Sequence, residues 1–450
     1  MSALQNILAV IVVLGLLVTI HEFGHFWVAR RCGVKVLRFS VGFGKPFWSR
    51  TDRHGTEYAL AAIPLGGYVK MLDEREGDVP PEQLEQAFNR QSVWKRIAIV
   101  SAGPIANFLL ALVAYWVMFI YGASTVAPVI GQVSPDSPAA RSGLEPGQEI
   151  VAVNDEKTPS WSEVNLKLVA AIGASQLDVT VRDEQGQGVE RHRVAVRDFM
   201  ARQDPPQPLA TLGITPWQPE TAPVIGEVID EGRAATAGLQ KGDRIIAVND
   251  HPLDQWATFV EQIREHPDVA LTLTIERDGQ RRQLSLTPDS RNLENGQTIG
   301  YIGAAAEPGH WPEKYLRELR YGPLEAIGQA AHKTGEMTLL TFDSIRKMLI
   351  GLISPSNLSG PITIARVAGD SARSGFETFI GFLAYLSISL GVLNLLPVPV
   401  LDGGHLLYYF VEVVRGRPLS ERTQAAGLRI GVALVGTLML MAFYFDLMRL

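Results

Sequence analysis

Four stretches of the chain are almost continuously apolar. They run from Ile7 to Ala29, Ile97 to Tyr121, Phe376 to Leu396 and Leu428 to Phe445. Each approaches or exceeds the length of about 20 residues that an α-helix needs to cross a bilayer. Met1 to Asn6 holds no Lys or Arg and no small-residue cleavage site follows, so the first stretch reads as a span and not as a cleaved leader. A fifth apolar run, Met337 to Ile353, is interrupted by Asp343, Arg346 and Lys347 at helical spacing. It predicts an amphipathic helix, lying on the outer membrane surface or packed as a bundle helix. From Ala127 to Glu307 the period shortens, and alternating runs such as Leu271 to Ile275 are separated by Gly and Asn-Asp turns.

Flanking charges give the spans a direction. Arg30, Arg31, Lys35 and Arg38 follow the first span, Lys95-Arg96 precede the second, and Arg415, Arg417 and Arg422 lie between the third and fourth. Basic residues stay on the cytoplasmic side. Both termini and the long segment from about Gly122 to Gly375 are therefore expected outside.

That external segment contains a duplication. Pro128-Val129-Ile130-Gly131 matches Pro223-Val224-Ile225-Gly226 at an offset of 223 − 128 = 95, and the same offset aligns Gly143-Leu144 with Gly238-Leu239, Asn154-Asp155 with Asn249-Asp250, and Trp161 with Trp256. The phrases GLQKGDRIIAVND and GLEPGQEIVAVND resemble those of bacterial PDZ domains. That resemblance implies two α+β domains able to hold an extended chain as an added strand. The peptide-groove candidates are Gly213-Ile214 and Gly303-Ala304, each at the end of a circularly permuted copy.

Composition narrows the function. The 41 Lys+Arg against 47 Asp+Glu leave a net charge of −6, with no basic surplus for a nucleic-acid backbone. Cys32 is the single cysteine, so no disulfide forms within the chain.

The chemistry lies inside the membrane. His21-Glu22-Phe23-Gly24-His25 is an HExxH pattern within the first span. Ionisable side chains are costly there and default to a functional reading. Histidines four apart share one helix face and can share a zinc ion, with Glu22 beside them to take a proton from water. A third ligand must come from the inner end of another span. Asp402 is preferred over His405, because it follows Pro397 and Pro399, which are expected to break the third span and hold the chain extended.

HEFGH together with NLLPVPVLDGG resembles the site-2 proteases, intramembrane zinc metalloproteases. The resemblance implies one zinc held by His21, His25 and Asp402, and Glu22 as general base. Asn394, Pro397 and Pro399 then border the substrate path, joined by Gly66 and Gly67 of a membrane-dipping hairpin read within Glu57 to Met71. The expected architecture is a polytopic α-helical membrane protein with two PDZ domains between spans two and three. Its expected divisions are 1–31, the first span; 32–96, the cytoplasmic loop with the hairpin; 97–121, the second span; 127–216 and 222–307, the PDZ copies; 312–375, amphipathic membrane-surface helices; 376–405, the third span with its LDG motif; and 428–446, the fourth. The implied setting is the bacterial inner membrane, with the PDZ domains in the periplasm and the active site towards the cytoplasm. The implied substrates are single-span membrane proteins: a membrane-anchored anti-sigma factor already trimmed by an upstream site-1-type protease, and signal-peptide remnants. A PDZ scaffold around a structural metal site and a metal transporter are the rival readings, but neither requires Glu22 or Asp402.

Overall fold

The computed structural model describes residues 2–183, 186, 188–293, 297–307 and 309–448. The four apolar stretches are helices at Ser2–Arg31, Val93–Tyr121, Phe376–Leu395 and Glu421–Met448, all long and apolar enough to cross a membrane. Local chemistry sets their ends. Ser92 caps the second helix by accepting from the Lys95 N–H, and Gly122 ends it at a φ of 95° that other residues rarely adopt.

The first three spans pack into one body. Val13 and Leu17 of the first meet Leu383 of the third, and Ala111, Ala114 and Tyr115 of the second meet Ala384, Ile388 and Val392. The first and second cross closely at Gly24, where a Cβ would lie only 2.9 Å from that of Ala106. Small residues let the two backbones approach, as membrane helix packing requires. The fourth span is mostly exposed and is fastened near its end. The Asp446 carboxylate accepts from the N–H groups of Gly360, Ile362 and Thr363 and from the Thr363 hydroxyl at 2.6–3.1 Å. It thereby caps the helix Pro361–Arg373, which leans on the first span.

Between the first two spans lies a small sheet formed by Val36–Thr51 and Glu57–Met71. The two halves of Glu57–Met71 do not pair with each other, as a simple hairpin would. Val36 to Val41 runs between them, with Phe39 opposite both Tyr58 and Val69. Arg38 holds this arrangement through Glu57 at 2.7 Å and the Tyr68 hydroxyl at 3.1 Å. Phe43, Phe47, Trp48 and Ile63 are exposed.

The duplicated segment forms two units of one topology. In each, a four-stranded antiparallel sheet and a two-stranded ribbon enclose a helix: Trp161–Ala170 in the first, Trp256–Glu265 in the second. The ribbons pair Ile130–Val133 with Ile214–Pro216 and Ile225–Val228 with Ala304–Ala306. Asn154-Asp155 and Asn249-Asp250 all have positive φ, the two-residue turn that matches strand twist.

The amphipathic helix begins earlier than its apolar run suggests. It spans Pro323–Leu349 and packs Ala326, Ala330, Thr334 and Met337 inward, with Ala330 and Met337 in the cluster shared by the second and third spans. Its other side holds the first repeat unit. Lys333 meets Glu163 at 2.6 Å, and Lys167, almost buried, bridges Glu156 and Glu336. Burial works against the charges of Lys167 and Glu336, yet their mutual hydrogen bond, aided by Glu156 and Lys333, outweighs it: the Lys167 pKa is raised and that of Glu336 lowered.

Candidate metal centre

His21 and His25 project from one face of the first helix, their rings edge to face with centroids 4.9 Å apart. Their Nε2 atoms are 3.2 Å apart. Asp402 completes the group from elsewhere in the chain. It is the first residue of the helix Asp402–Arg415, and its Oδ2 lies 3.2 Å from His21 Nε2 and 3.4 Å from His25 Nε2. The three ligand atoms fall within 4.8 Å of one another.

The route to Asp402 is tighter than an extended chain. The third span ends at Leu395, and the Val398 N–H then donates to the Leu396 carbonyl across Pro397, a three-residue turn. The Leu401 N–H donates to the Val398 carbonyl, with Pro399 in the second position of a four-residue turn where its fixed φ is favoured. The prolines do break the helix as expected, but they fold the chain back instead of holding it extended. Gly403 and Gly404 allow this reversal, because a Cβ on either would strike the backbone of Leu395 to Pro399. Arg96 then pins the new helix to the second span through Glu412 at 2.6 Å.

The donor set suits a divalent cation. Asp402 Oδ2 is buried, and it converges with two imidazole nitrogens that are each buried. A buried carboxylate is costly unless its charge is compensated, and a cation held between it and the two imidazoles compensates it. Two histidines and one carboxylate are a zinc ligand set that leaves a fourth position for water or substrate. His405, the competing ligand, lies outside this group, with its ring edge-on to Tyr408 at 6.2 Å.

Glu22 stands beside the group, under the small sheet. Gly67 packs close to the first helix, where a Cβ would be 3.3 Å from Glu22 Cγ and 2.9 Å from Val18 Cγ1. Gly66 passes beneath the Phe43 ring, which leaves no room for a side chain. Asn394 is half-buried in the last turn of the third span, Pro397 is exposed, and Pro399 packs near Gly427 of the fourth span. None of these three is a ligand in the His21-His25-Asp402 group. Gly213 and Gly303, at φ 79° and 73°, belong to the separate repeat units. Their carbonyls accept from Ser134 and Ile229 N–H at 2.8 and 2.9 Å, and the adjoining Ile214 and Ala304 begin ribbon strands.

The model of peptidase family M50 matches residues 9–438. The chain belongs to peptidase family M50, the site-2 proteases. It is 47% identical over 450 residues to the regulator of sigma E protease of Salmonella typhi and 46% identical over 450 residues to the regulator of sigma-E protease RseP of Escherichia coli K12, covering each completely. A Vibrio cholerae protein named as a zinc metalloprotease is 47% identical over 448 residues, 99% of both chains. This M50 member is thus a metalloprotease of the zinc-dependent kind and an inner-membrane protein.

What surrounds the M50 histidines was not read from the motif. His25 Nδ1 lies 2.9 Å from the Ile99 carbonyl oxygen, and His21 Nδ1 lies 3.1 Å from the Asn107 side-chain nitrogen. Both partners come from the second span, where Gly103 sits directly against the two imidazoles. In sequence the phrase Gly103-Pro104-Ile105-Ala106-Asn107 resembles the family's, and its small residues are also accounted for by close helix packing. An Asn in the middle of an apolar span was the signal available. Outside the spans, burial raises the Asp52 pKa but the Arg30 guanidinium at 2.5 Å and the N–H groups of Thr56 and His54 outweigh it, holding the carboxyl down to about 2.

Proposed function

We propose that this M50 protease is an intramembrane endopeptidase that cuts single-span membrane proteins within or near the bilayer. The observation that carries the reading is the meeting of His21, His25 and Asp402 inside a bundle of apolar helices, with Glu22 beside them. His21, His25 and Asp402 would hold the zinc ion. When bound, zinc acidifies a water molecule and polarises the scissile carbonyl. Glu22 takes the proton of the attacking water and delivers it to the leaving amine.

A transmembrane helix hides its peptide groups in internal hydrogen bonds, so the substrate must unwind before it is cut. The segment Gly67 to Lys70 is suited to receive it. Among the described residues it pairs on one side only, with Arg38 to Val41, and Glu22 lies next to it. An unwound substrate added as a strand along that edge would present its backbone to the centre. Asn394, Pro397 and Pro399 would border the same path on the opposite side. Phe43, Phe47 and Trp48 would dip into the bilayer from the cytoplasmic face.

The two repeat units are read as PDZ domains in the periplasm, both termini on that side and the centre towards the cytoplasm. The units would act as a filter that excludes substrates with bulky outer domains, and their grooves at Gly213-Ile214 and Gly303-Ala304 would meet extended chains. The names of the relatives, regulators of sigma-E, support a membrane-anchored anti-sigma factor as substrate, already shortened on its outer side, with signal-peptide remnants as a second class.

The test is cleavage of a purified single-span reporter in detergent by the wild type and by Glu22→Gln. The variant is expected to lose activity by at least about 100-fold while keeping its metal. Equal cutting would remove Glu22 from the reaction. The same reporter with and without a folded outer domain tests the filter: equal rates on both would count against it.

A further inference from the structure

The second span carries one buried polar side chain that the reaction above does not use. Asn107 has no exposed surface. Its amide nitrogen lies 3.1 Å from His21 Nδ1, its amide oxygen is buried without a partner, and its backbone carbonyl accepts from the Ser387 hydroxyl of the third span at 2.8 Å. A fully buried amide oxygen with no donor is costly, and in a membrane helix such a group calls for a reason.

We propose that Asn107 is the positioning residue of the metal centre: its amide oxygen accepts the Nδ1–H of His21 and so fixes the tautomer whose Nε2 is free to bind the ion. The proposal rests on the reading of His21, His25 and Asp402 as zinc ligands. A neutral imidazole carries one N–H. His21 Nε2 is the nitrogen that faces Asp402 and His25. If it ligates, the proton sits on Nδ1 and needs an acceptor. A half turn of the Asn107 amide exchanges two ends of nearly equal size and supplies that acceptor. With the nitrogen turned towards Nδ1, the His21 proton moves to Nε2, where it faces the Asp402 carboxylate.

The two histidines are held differently. His25 Nδ1 faces the Ile99 backbone carbonyl, which can only accept, so its tautomer is set by main chain. His21 depends on a side chain and can be changed by one substitution. Partners of this kind orient a ligating histidine and raise its basicity. Ser387 of the third span bonds only the Asn107 backbone carbonyl and leaves the side-chain amide untouched.

Wild type, Asn107→Leu, Asn107→Asp and Ser387→Ala would be purified in detergent. For each, zinc affinity would be read by chelator competition, the centre by the visible spectrum after cobalt substitution, and the fold by melting of the metal-free protein. Asn107→Leu, similar in size but apolar, is expected to bind zinc about 10- to 100-fold more weakly and to shift the cobalt spectrum. Asn107→Asp, whose carboxylate accepts, is expected to restore near-wild-type affinity, and Ser387→Ala to leave it unchanged, with metal-free Asn107→Leu melting like the metal-free wild type. Wild-type affinity in Asn107→Leu, failure of Asn107→Asp to rescue, equal loss in Ser387→Ala, or a lower metal-free melting point in Asn107→Leu would each overturn the proposal. A wild type that binds no zinc would instead overturn the metal reading beneath it.

Discussion

Gly103→Ala separates the metal centre from the helix that carries it. Alanine is a better helix former than glycine by about 1 kcal/mol, so propensity alone says that the second span gains. The site says otherwise. A methyl group at Gly103 would lie 2.6 Å from His25 Cε1 and 2.8 Å from His21 Cε1, with His25 Nε2 closer still. Carbon atoms pack at about 3.5–4.0 Å, so the rings would have to retreat by at least roughly 0.7–0.9 Å. They cannot swing freely, because each is held at Nδ1 by Ile99 or Asn107. Overpacking costs about 1–3 kcal/mol, which the propensity gain partly offsets, so the fold should survive. A ligand shift near 1 Å costs on the order of 100-fold in rate, or about 2.7 kcal/mol of transition-state stabilisation. The expected result is a melting point within a few degrees of wild type, weakened zinc retention in a chelator assay, and reporter cleavage reduced about 100-fold. Wild-type cleavage with full zinc content would refute the argument, and so would a variant that lost activity only by unfolding.

Two further outcomes follow from the anchoring contacts. Asp446→Leu removes the acceptor for three N–H groups and one hydroxyl at the start of Pro361–Arg373. It should destabilise the protein in detergent by about 1–2 kcal/mol, with Asp446→Asn intermediate, read as thermal inactivation; a variant as stable as wild type would show that the fourth span is held by other contacts. The junction between the first repeat unit and Pro323–Leu349 should depend on pH. Glu336 has a lowered pKa, so its contribution is complete above its ordinary value of about 4.3 and is lost as pH falls through the folded value. Lys167 has a raised pKa, so its share is complete below about 10.4 and is lost as pH rises through the folded value. The melting difference between wild type and Glu336→Gln should therefore be constant from about pH 6 to 8 and shrink as pH falls below the ordinary value through the lower folded one, and a difference that persists undiminished in acid would contradict the ion-pair account.

The spans, the repeat and the reactive residues were legible in the chain because each rests on local periodicity. Twenty apolar residues make a spanning helix wherever they fall, and His21 and His25 face the same way because a helix turns every 3.6 residues. The Asn-Asp turns likewise follow from two side chains that tolerate positive φ. Contacts between distant elements were not legible. Glu57–Met71 reads as two strands, but only tertiary pairing inserts Val36 to Val41 between them. Two prolines after Leu395 announce a break, whereas the direction of the chain beyond depends on which carbonyls the next amides meet. Asn107 reads as one more polar residue in a span until the second helix is packed against the first, 86 residues away from His21 along the chain. Period and propensity act over a few residues and are written in order. The partner of a buried polar atom is fixed by helix packing, where small residues such as Gly24 and Gly103 decide how close two backbones come and which side chains then meet.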